Sequence, residues 1–306
     1  MSLYQHLVPN GPNGFGNGTT AEQVTEGLSL AGQTVLITGC NSGLGLEAMR
    51  VLAMRGARVV GTARTLEKAR EACASVGGTT VPLACELADP ASVRACVASV
   101  QSAGLVLDAL VCNAGIMALP NLQQAHGYEL QFFTNHIGHF MLVTGLLGSL
   151  AEAGRVVVVS SDAHRAAPKG GIEWDNLSGD KRYAGWRNYG QSKVANILFA
   201  SELTRRFDGT KQTANSLHPG VIKTNLVRNM SAAAALGMKM VDALALKSIP
   251  QGAATEVYLA VHPGAAGVSG KYYADCNEAT PRADGTDAES AKRLWETSET
   301  IVAGLG

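Results

Sequence analysis

Short apolar runs alternate with helical stripes along most of the chain. Thr34–Thr38, Arg58–Thr62, Thr79–Ala84, Leu107–Cys112, Arg155–Ser160 and Thr213–Leu217 are compact runs rich in valine, leucine and isoleucine. Their length and β-branched content predict strands. Between them, Leu44–Arg55, Leu66–Ser75, Ser92–Ser102, Tyr128–Leu150 and Ser192–Phe207 carry apolar residues at helical spacing. Strands without a polar face, each followed by a helix, imply parallel pairing with helices on both sides. The expected architecture is α/β: a doubly wound Rossmann-type parallel sheet of about seven strands, helices on both faces. Residues 1–30, rich in Gly, Asn and Thr, predict an irregular N-terminal arm with a short helix near Thr20–Glu26. Residues 31–306 read as a single catalytic domain, with no repeat and no linker-like tract dividing them. Ala- and Met-rich Met230–Leu246 predicts a helix or helix pair, within a substrate lid over approximately 224–250, and Ala288–Val302 predicts a terminal helix.

Composition narrows the partners. Lysine plus arginine and aspartate plus glutamate number 25 each, which argues against a polyanion such as nucleic acid. The six cysteines form no C-x-x-C pair, so core thiols in a reducing compartment are expected. No secretory signal and no uninterrupted apolar stretch of ~18 residues is visible, which predicts a cytoplasmic protein without an integral membrane segment.

The first strand runs into Gly39-Cys-Asn-Ser-Gly43-Leu-Gly45, where a helix begins. Glycines allow a tight turn and close backbone approach, and the helix N-terminus offers free N–H groups to a pyrophosphate. Following the first strand of a βαβ series, the turn reads as a dinucleotide site. The second strand ends in Ala63-Arg64, where an acidic residue would be needed for a free ribose 2′-hydroxyl. Arg64 suits a 2′-phosphate, so NADP is the expected cofactor.

Tyr189 and Lys193 lie four apart at the start of a predicted helix, on one face. Unperturbed, their pKa values are ~10 and ~10.4. A neighbouring ammonium favours the phenolate and is expected to lower the tyrosine pKa toward the working range. Such a tyrosine can give a proton to a carbonyl oxygen or take one from an alcohol.

Thr38-Gly-Cys-Asn-Ser-Gly-Leu-Gly45, Cys112-Asn-Ala-Gly115, Asn135-His-Ile-Gly138, Ser160-Ser161, Tyr189-x-x-x-Lys193 and His218-Pro-Gly-Val-Ile-Lys-Thr224 occur in this order. With them the chain resembles the short-chain dehydrogenase/reductase family over residues ~30–275. Thr19-Thr-Ala-Glu-Gln-Val-Thr-Glu-Gly27, Tyr189-Gly-Gln-Ser-Lys-Val-Ala-Asn196, Pro250-Gln-Gly-Ala-Ala254 and Gly270-Lys-Tyr-Tyr273 look like the branch of retinol dehydrogenases, the WW-domain oxidoreductase and Tic32-like reductases. The resemblance implies an alcohol dehydrogenase or carbonyl reductase in which Tyr189 is the acid/base and Ser161 polarises the substrate oxygen. It implies that Lys193 holds the nicotinamide ribose and that Asn135 anchors a relay water. Cofactor contacts would come from Gly39, Asn41, Ser42, Gly43, Leu44 and Gly45, then Arg64, Glu86 and Leu87. Further contacts are implied for Asn113, Ala114 and Gly115, and for Pro219, Gly220, Val221, Ile222 and Thr224. Glu86 stands where the family usually has aspartate, and Cys112 where it has asparagine. Related enzymes pair through the Tyr128–Leu150 and Ser192–Phe207 helices, which implies a homodimer or homotetramer.

Ile116, Met117, Trp174, Trp186, Leu226 and Met230 are candidates for an apolar pocket that takes a small apolar alcohol or carbonyl substrate. Tyr183 and Val227 are further wall candidates, and Met238 and Met240 could belong to the lid. His136 and His139 lack a third ligand and read as core or pocket-wall residues rather than a metal site. Ser161, Asp162 and His164 resemble a hydrolase triad only in composition, since no Gly-x-Ser-x-Gly elbow is present. Two other functions compete: reduction of an activated C=C bond, as in protochlorophyllide oxidoreductases, and a non-catalytic dinucleotide-sensing scaffold. The second commonly lacks the Tyr or Lys that this chain keeps.

Overall fold

The computed structural model describes residues 10–222 and 247–305. The sheet is built from β1 (Thr34–Ile37), β2 (Arg58–Ala63), β3 (Thr79–Ala84), β4 (Leu107–Cys112), β5 (Leu150–Val159), β6 (Thr213–His218), β7 (Tyr272–Ala274) and β8 (Asn277–Ala279). Its order is β3-β2-β1-β4-β5-β6-β7-β8. All pairs are parallel except β7–β8. Among the described residues this sheet has eight strands, in line with the expectation of about seven.

Alternation of side chains along the strands splits the core in two. Leu36, Val60, Leu110, Val156 and Val158 face one layer. That layer holds α4 (Pro90–Ser102), α5 (Gly138–Leu146), α6 (Gly185–Arg206) and α8 (Ala288–Ala303). Val35, Ile37, Val59, Val111 and Val157 face the other, with α1 (Ala21–Val24), α2 (Gly43–Met54), α3 (Leu66–Val76) and α7 (Ala254–Val261).

Four boundaries differ from the sequence expectation. The helix expected at Tyr128–Leu150 begins at Leu130, passes through a π-turn at Phe133–Ile137 and ends at Leu146. Strand β5 starts at Leu150, pairs there with Leu107, and shifts register before Arg155. Helix α6 begins at Gly185, so Tyr189 sits in its second turn rather than opening it. Helix α7, β7 and β8 are further elements, beyond those expected from the sequence.

The N-terminal arm has the expected short helix, with a Thr20–Gln23 capping box. Ala21, Val24 and Leu30 are buried with the second core layer. Phe15 packs edge-on against Tyr258 and His262, and Asn13 donates to the Cys276 carbonyl at 2.6 Å. The described part of the arm thus ties α7 to the β7–β8 turn.

The surfaces of α5 and α6 do not stand free. Helix α8 lies across them. Trp295 meets the Phe140 ring at 4.9 Å and stacks on Phe199 at 5.9 Å. His136 joins Ser298 at 2.8 Å. Along these contacts the chain's own last helix covers part of the α5 and α6 surfaces.

Candidate active site

The C-terminal ends of β1, β4, β5 and β6 meet α2 and α6 at one edge of the sheet, where α/β folds bind ligands. Gly39 has φ of 74°, open to glycine. A Cβ on Gly45 would stand 2.4 Å from the Asn113 amide and 2.5 Å from the Gly39 carbonyl. The turn therefore needs both glycines. Ser42, the N-cap of α2, makes no side-chain capping bond, and Asn41 and Ser42 are exposed. The first N–H groups of α2 are thereby left for an anion, so the cradle fits a pyrophosphate.

Thr38 holds the turn against β4. Its hydroxyl accepts from the Asn113 and Ala114 amides at 3.0 and 2.9 Å, and the Asn113 side chain donates to the Thr38 carbonyl at 2.7 Å. The Thr38 hydroxyl also lies 2.8 Å from His139 Nε2. His139 Nδ1 faces the Asn135 carbonyl at 3.0 Å, which can only accept, so Nδ1 carries the proton and Nε2 accepts from Thr38. Burial pushes the His139 pKa down to about 4, consistent with this neutral form. Thr38 and His139 were not singled out as site residues from the sequence. Their signal lay in the motif: Thr38 precedes the glycine turn, and His139 stands one helical turn after Asn135.

Arg64 is exposed at the end of β2 and makes no side-chain hydrogen bond or ion pair among the described residues. Glu86 accepts from the Ala88 amide at 3.2 Å, and its own amide donates to Ser92. Leu87 is buried, its carbonyl against Gly138. On the other flank, Pro219 and Gly220 turn away from β6, and Ile222 bridges to Lys247. A Cβ on Gly252 would meet Ile222 at 2.4 Å and Leu44 at 2.7 Å, so this flank closes onto the start of α2. Thr224, Leu226, Val227, Met230, Met238, Met240 and the lid through residue 246 lie outside the described residues.

Four polar residues converge beside this cradle. Asn135, in the π-turn, is fully buried. Its side chain accepts from the Ile116 amide at 2.8 Å and donates to the Ile116 carbonyl and the Ser192 hydroxyl, each at 2.9 Å. Both amide N–H groups are thereby engaged while Oδ1 keeps one lone pair, and the side chain fixes the turn after Gly115. Lys193 donates to the Val159 carbonyl at 3.0 Å, and its Nζ stands 5.6 Å from the centre of the Tyr189 ring. Ser161 is half-buried at the end of β5, and its side chain lies near enough to the Tyr189 phenol to pull the phenol's pKa down.

Burial dominates the electrostatics. It pushes Tyr189 up to about 12, against the opposing pull of the Ser161 side chain. Burial outweighs the expected lowering of the phenol by Lys193; it also brings Lys193 itself down to about 8, while one of the three ammonium N–H groups donates to the Val159 carbonyl. Tyr189 is thus a protonated phenol at neutral pH, and Lys193 remains largely cationic.

Among the apolar candidates, Ile116 and Met117 are half-buried after Gly115, and Trp186 is 48% exposed with its ring 6.1 Å from that of Tyr189. Val221 is 56% exposed on the opposite flank. Trp174 is corrected. It lies under the Arg293 guanidinium at 4.4 Å, in a groove with Glu289, Lys292 and Glu296 of α8, because the loop after Ser161 folds onto that helix. Tyr183 donates to the Leu119 carbonyl at 2.7 Å, so its polar end braces the backbone. His136 is likewise taken up by Ser298 in the core.

A Rossmann sheet with a glycine turn at β1 and a Ser–Tyr–Lys–Asn cluster at its carboxyl edge defines a class, and sequence relatives agree with it. The chain belongs to the short-chain dehydrogenase/reductase family, an oxidoreductase family that binds a nicotinamide dinucleotide. The short chain dehydrogenase model matches residues 33–174. The chain is 39% identical to short-chain dehydrogenase TIC 32 B, chloroplastic, of Brassica napus, over all of both chains. It is 37% identical to retinol dehydrogenase 14 of Homo sapiens, covering 90% of this chain and 87% of that one. A crystal structure of an uncharacterised Mycobacterium paratuberculosis protein superposes with a TM-score of 0.75 at 33% identity, over 92% of this chain and 97% of the other. A short chain dehydrogenase from Burkholderia cenocepacia, in complex with NADP, gives 0.64 at 25% identity, over 80% and 96%.

Proposed function

We propose that this protein is an NADP(H)-dependent oxidoreductase that interconverts an alcohol and a ketone or aldehyde, on a small apolar substrate. The carrying observation is the meeting of Ser161, Tyr189 and Lys193 beside the glycine cradle, with Ser161 close enough to act on the phenol and Lys193 Nζ 5.6 Å from its ring. The bound nicotinamide would supply or accept the hydride. Gly39, Gly43, Gly45 and the first N–H groups of α2 would hold its pyrophosphate. Arg64 would meet the 2′-phosphate, as its exposure and the lack of an acidic neighbour at that strand end support. The remaining dinucleotide would run past Glu86, Leu87 and Asn113–Gly115 to the Pro219–Ile222 turn.

In reduction, Ser161 holds the substrate oxygen and Tyr189 delivers its proton to that oxygen. In oxidation, the same phenol must first be deprotonated and then takes the proton back. Lys193, anchored on Val159, supplies positive charge beside the ring and holds the ribose. Asn135 fixes Ile116 and, through Ser192, the first turns of α6. Ile116, Met117, Trp186 and Val221 offer apolar surface around the oxygen, which keeps water from the reacting carbon. Six free, buried cysteines favour a reducing compartment, and we place the protein in the cytoplasm. Among the described residues no helix is long and apolar enough to cross a membrane.

The test is NADPH consumption with a series of carbonyls of increasing apolar bulk. Buried apolar surface contributes roughly 25 cal/mol per Å². kcat/KM should therefore rise along the series, by about tenfold for each 1.4 kcal/mol of added transition-state binding. A flat trend, or preference for a carboxylated or phosphorylated substrate, contradicts the apolar pocket.

A further inference from the structure

Next to the Ser161 backbone sits a histidine that the proposed chemistry does not use. His164 is fully buried in the short 3-10 turn Asp162–Ala166 that Ser161 caps. Its Nδ1 lies 2.7 Å from the Ser161 carbonyl. A carbonyl only accepts, so Nδ1 carries the proton. Nε2 must then be bare, and it receives the Arg282 backbone N–H at 3.2 Å. Both ring nitrogens are thereby matched to backbone partners in one tautomer. Tyr272 adds its hydroxyl 3.4 Å from Nδ1 and meets the imidazole edge-on at 5.4 Å.

Arg282 closes the arrangement from the other side. Its guanidinium donates to the carbonyls of His164, Ala167 and Pro168 at 2.9, 3.0 and 3.0 Å, and pairs with Asp284. The backbone from Ser161 to Pro168 is thus held by an imidazole at its start and a guanidinium along its length. The Ser161 side chain accepts from the Ala163 amide at 3.2 Å, which ties its rotamer to this same turn. Any rotation of the turn moves the hydroxyl that meets Tyr189.

We propose that His164 is a positioning residue for Ser161: clamped between the Ser161 carbonyl and the Arg282 amide, it sets the aim of the serine hydroxyl at the substrate oxygen. This inference rests on the role given to Ser161 in the proposed reaction. Protonation of Nε2 would point an N–H at the Arg282 N–H and release the clamp. The charged and titratable groups around the ring are Asp162 and Arg165 on its own turn, Arg282 with Asp284, and Tyr272 and His218 on the last strands of the sheet. Burial is the largest influence and holds His164 below the ordinary histidine range, so the working neutral form persists at neutral pH and is lost only in acid.

The experiment compares kcat, KM and NADPH affinity for carbonyl reduction in H164L, H164N, S161A and the S161A/H164L double variant. H164L should lower kcat on the order of tenfold while leaving NADPH affinity within about twofold, because misaimed groups cost rate rather than cofactor binding. Asparagine keeps an N–H within reach of the Ser161 carbonyl, so H164N should recover to within about threefold of wild type. In the S161A background, adding H164L should cost nothing more, since the two act through one hydroxyl. The wild-type kcat should fall in acid below the ordinary histidine pKa, and H164N should lack that limb; this comparison stands even if H164L does not fold. A full additional loss in S161A/H164L, an H164N as poor as H164L, or an acid limb unchanged in H164N would overturn the inference. Fully active S161A would remove the role of Ser161 and this link together, whereas impaired S161A with an additive H164L loss removes the link alone.

Discussion

At the scale of single residues, charge placement decides the cofactor and burial decides the acid. Arg64 stands exposed where β2 ends, with no carboxylate engaging it among the described residues. Arg64→Asp should weaken NADPH and spare or strengthen NADH, reversing their order by ten- to a hundredfold, roughly the 1–3 kcal/mol of a charge-assisted hydrogen bond and its loss. Fluorescence titration of both cofactors reads this directly, and an unchanged order would make Arg64 a solvated surface charge. The place of Arg64 just after β2 was legible in the sequence, because the strand's apolar run ends there. The elevated Tyr189 pKa was not. It depends on how completely the ring is buried, and that burial outweighs the lowering expected from Lys193. Trp174 failed for a similar reason, since loop order placed it near the catalytic tyrosine while cation–π packing drew it to α8.

At the scale of elements, β1 to β4 and β6 were legible because each is a short apolar run between turn signals. The first half of β5 was hidden in Ala151-Glu-Ala-Gly154, which has neither branching nor alternation. Gly185-Trp-Arg-Asn188 concealed the start of α6, since glycine and an exposed tryptophan interrupt the apolar stripe. Strands β7 and β8 have three residues each and are set by pairing rather than by propensity. Helix α8 was visible in outline, but its partner surface was not. Trp295 is buried against Phe140 and Phe199, carries the Arg206 guanidinium at 3.8 Å over its ring, and donates to Glu299 at 2.6 Å. Trp295→Ala should therefore destabilise the protein by about 3–5 kcal/mol, as expected for loss of a buried aromatic. Denaturant unfolding measures it, and a loss below about 1 kcal/mol would mean that α8 is only loosely docked.

At the scale of the whole molecule, the sheet and the two glycine-dependent contacts bring a dinucleotide cradle and a proton donor to one edge. The sequence motifs made that convergence legible because their order follows the strand order of the fold. The supporting contacts, Thr38 with His139 and Ser161 with His164, were not legible, since each joins segments through tautomers and backbone carbonyls that no spacing rule encodes. The central claim is that Tyr189 moves the proton that accompanies hydride transfer. The most direct measurement is the pH-dependent kcat and the NADPH affinity of wild type and Tyr189→Phe in carbonyl reduction. A phenol pushed up to about 12 is protonated at neutral pH, so wild-type reduction should hold there and, on the alkaline side, decline as alkali removes the proton. Tyr189→Phe should lose on the order of 10²-fold or more in kcat, with NADPH affinity nearly unchanged. Near-normal turnover in the phenylalanine variant would contradict the account.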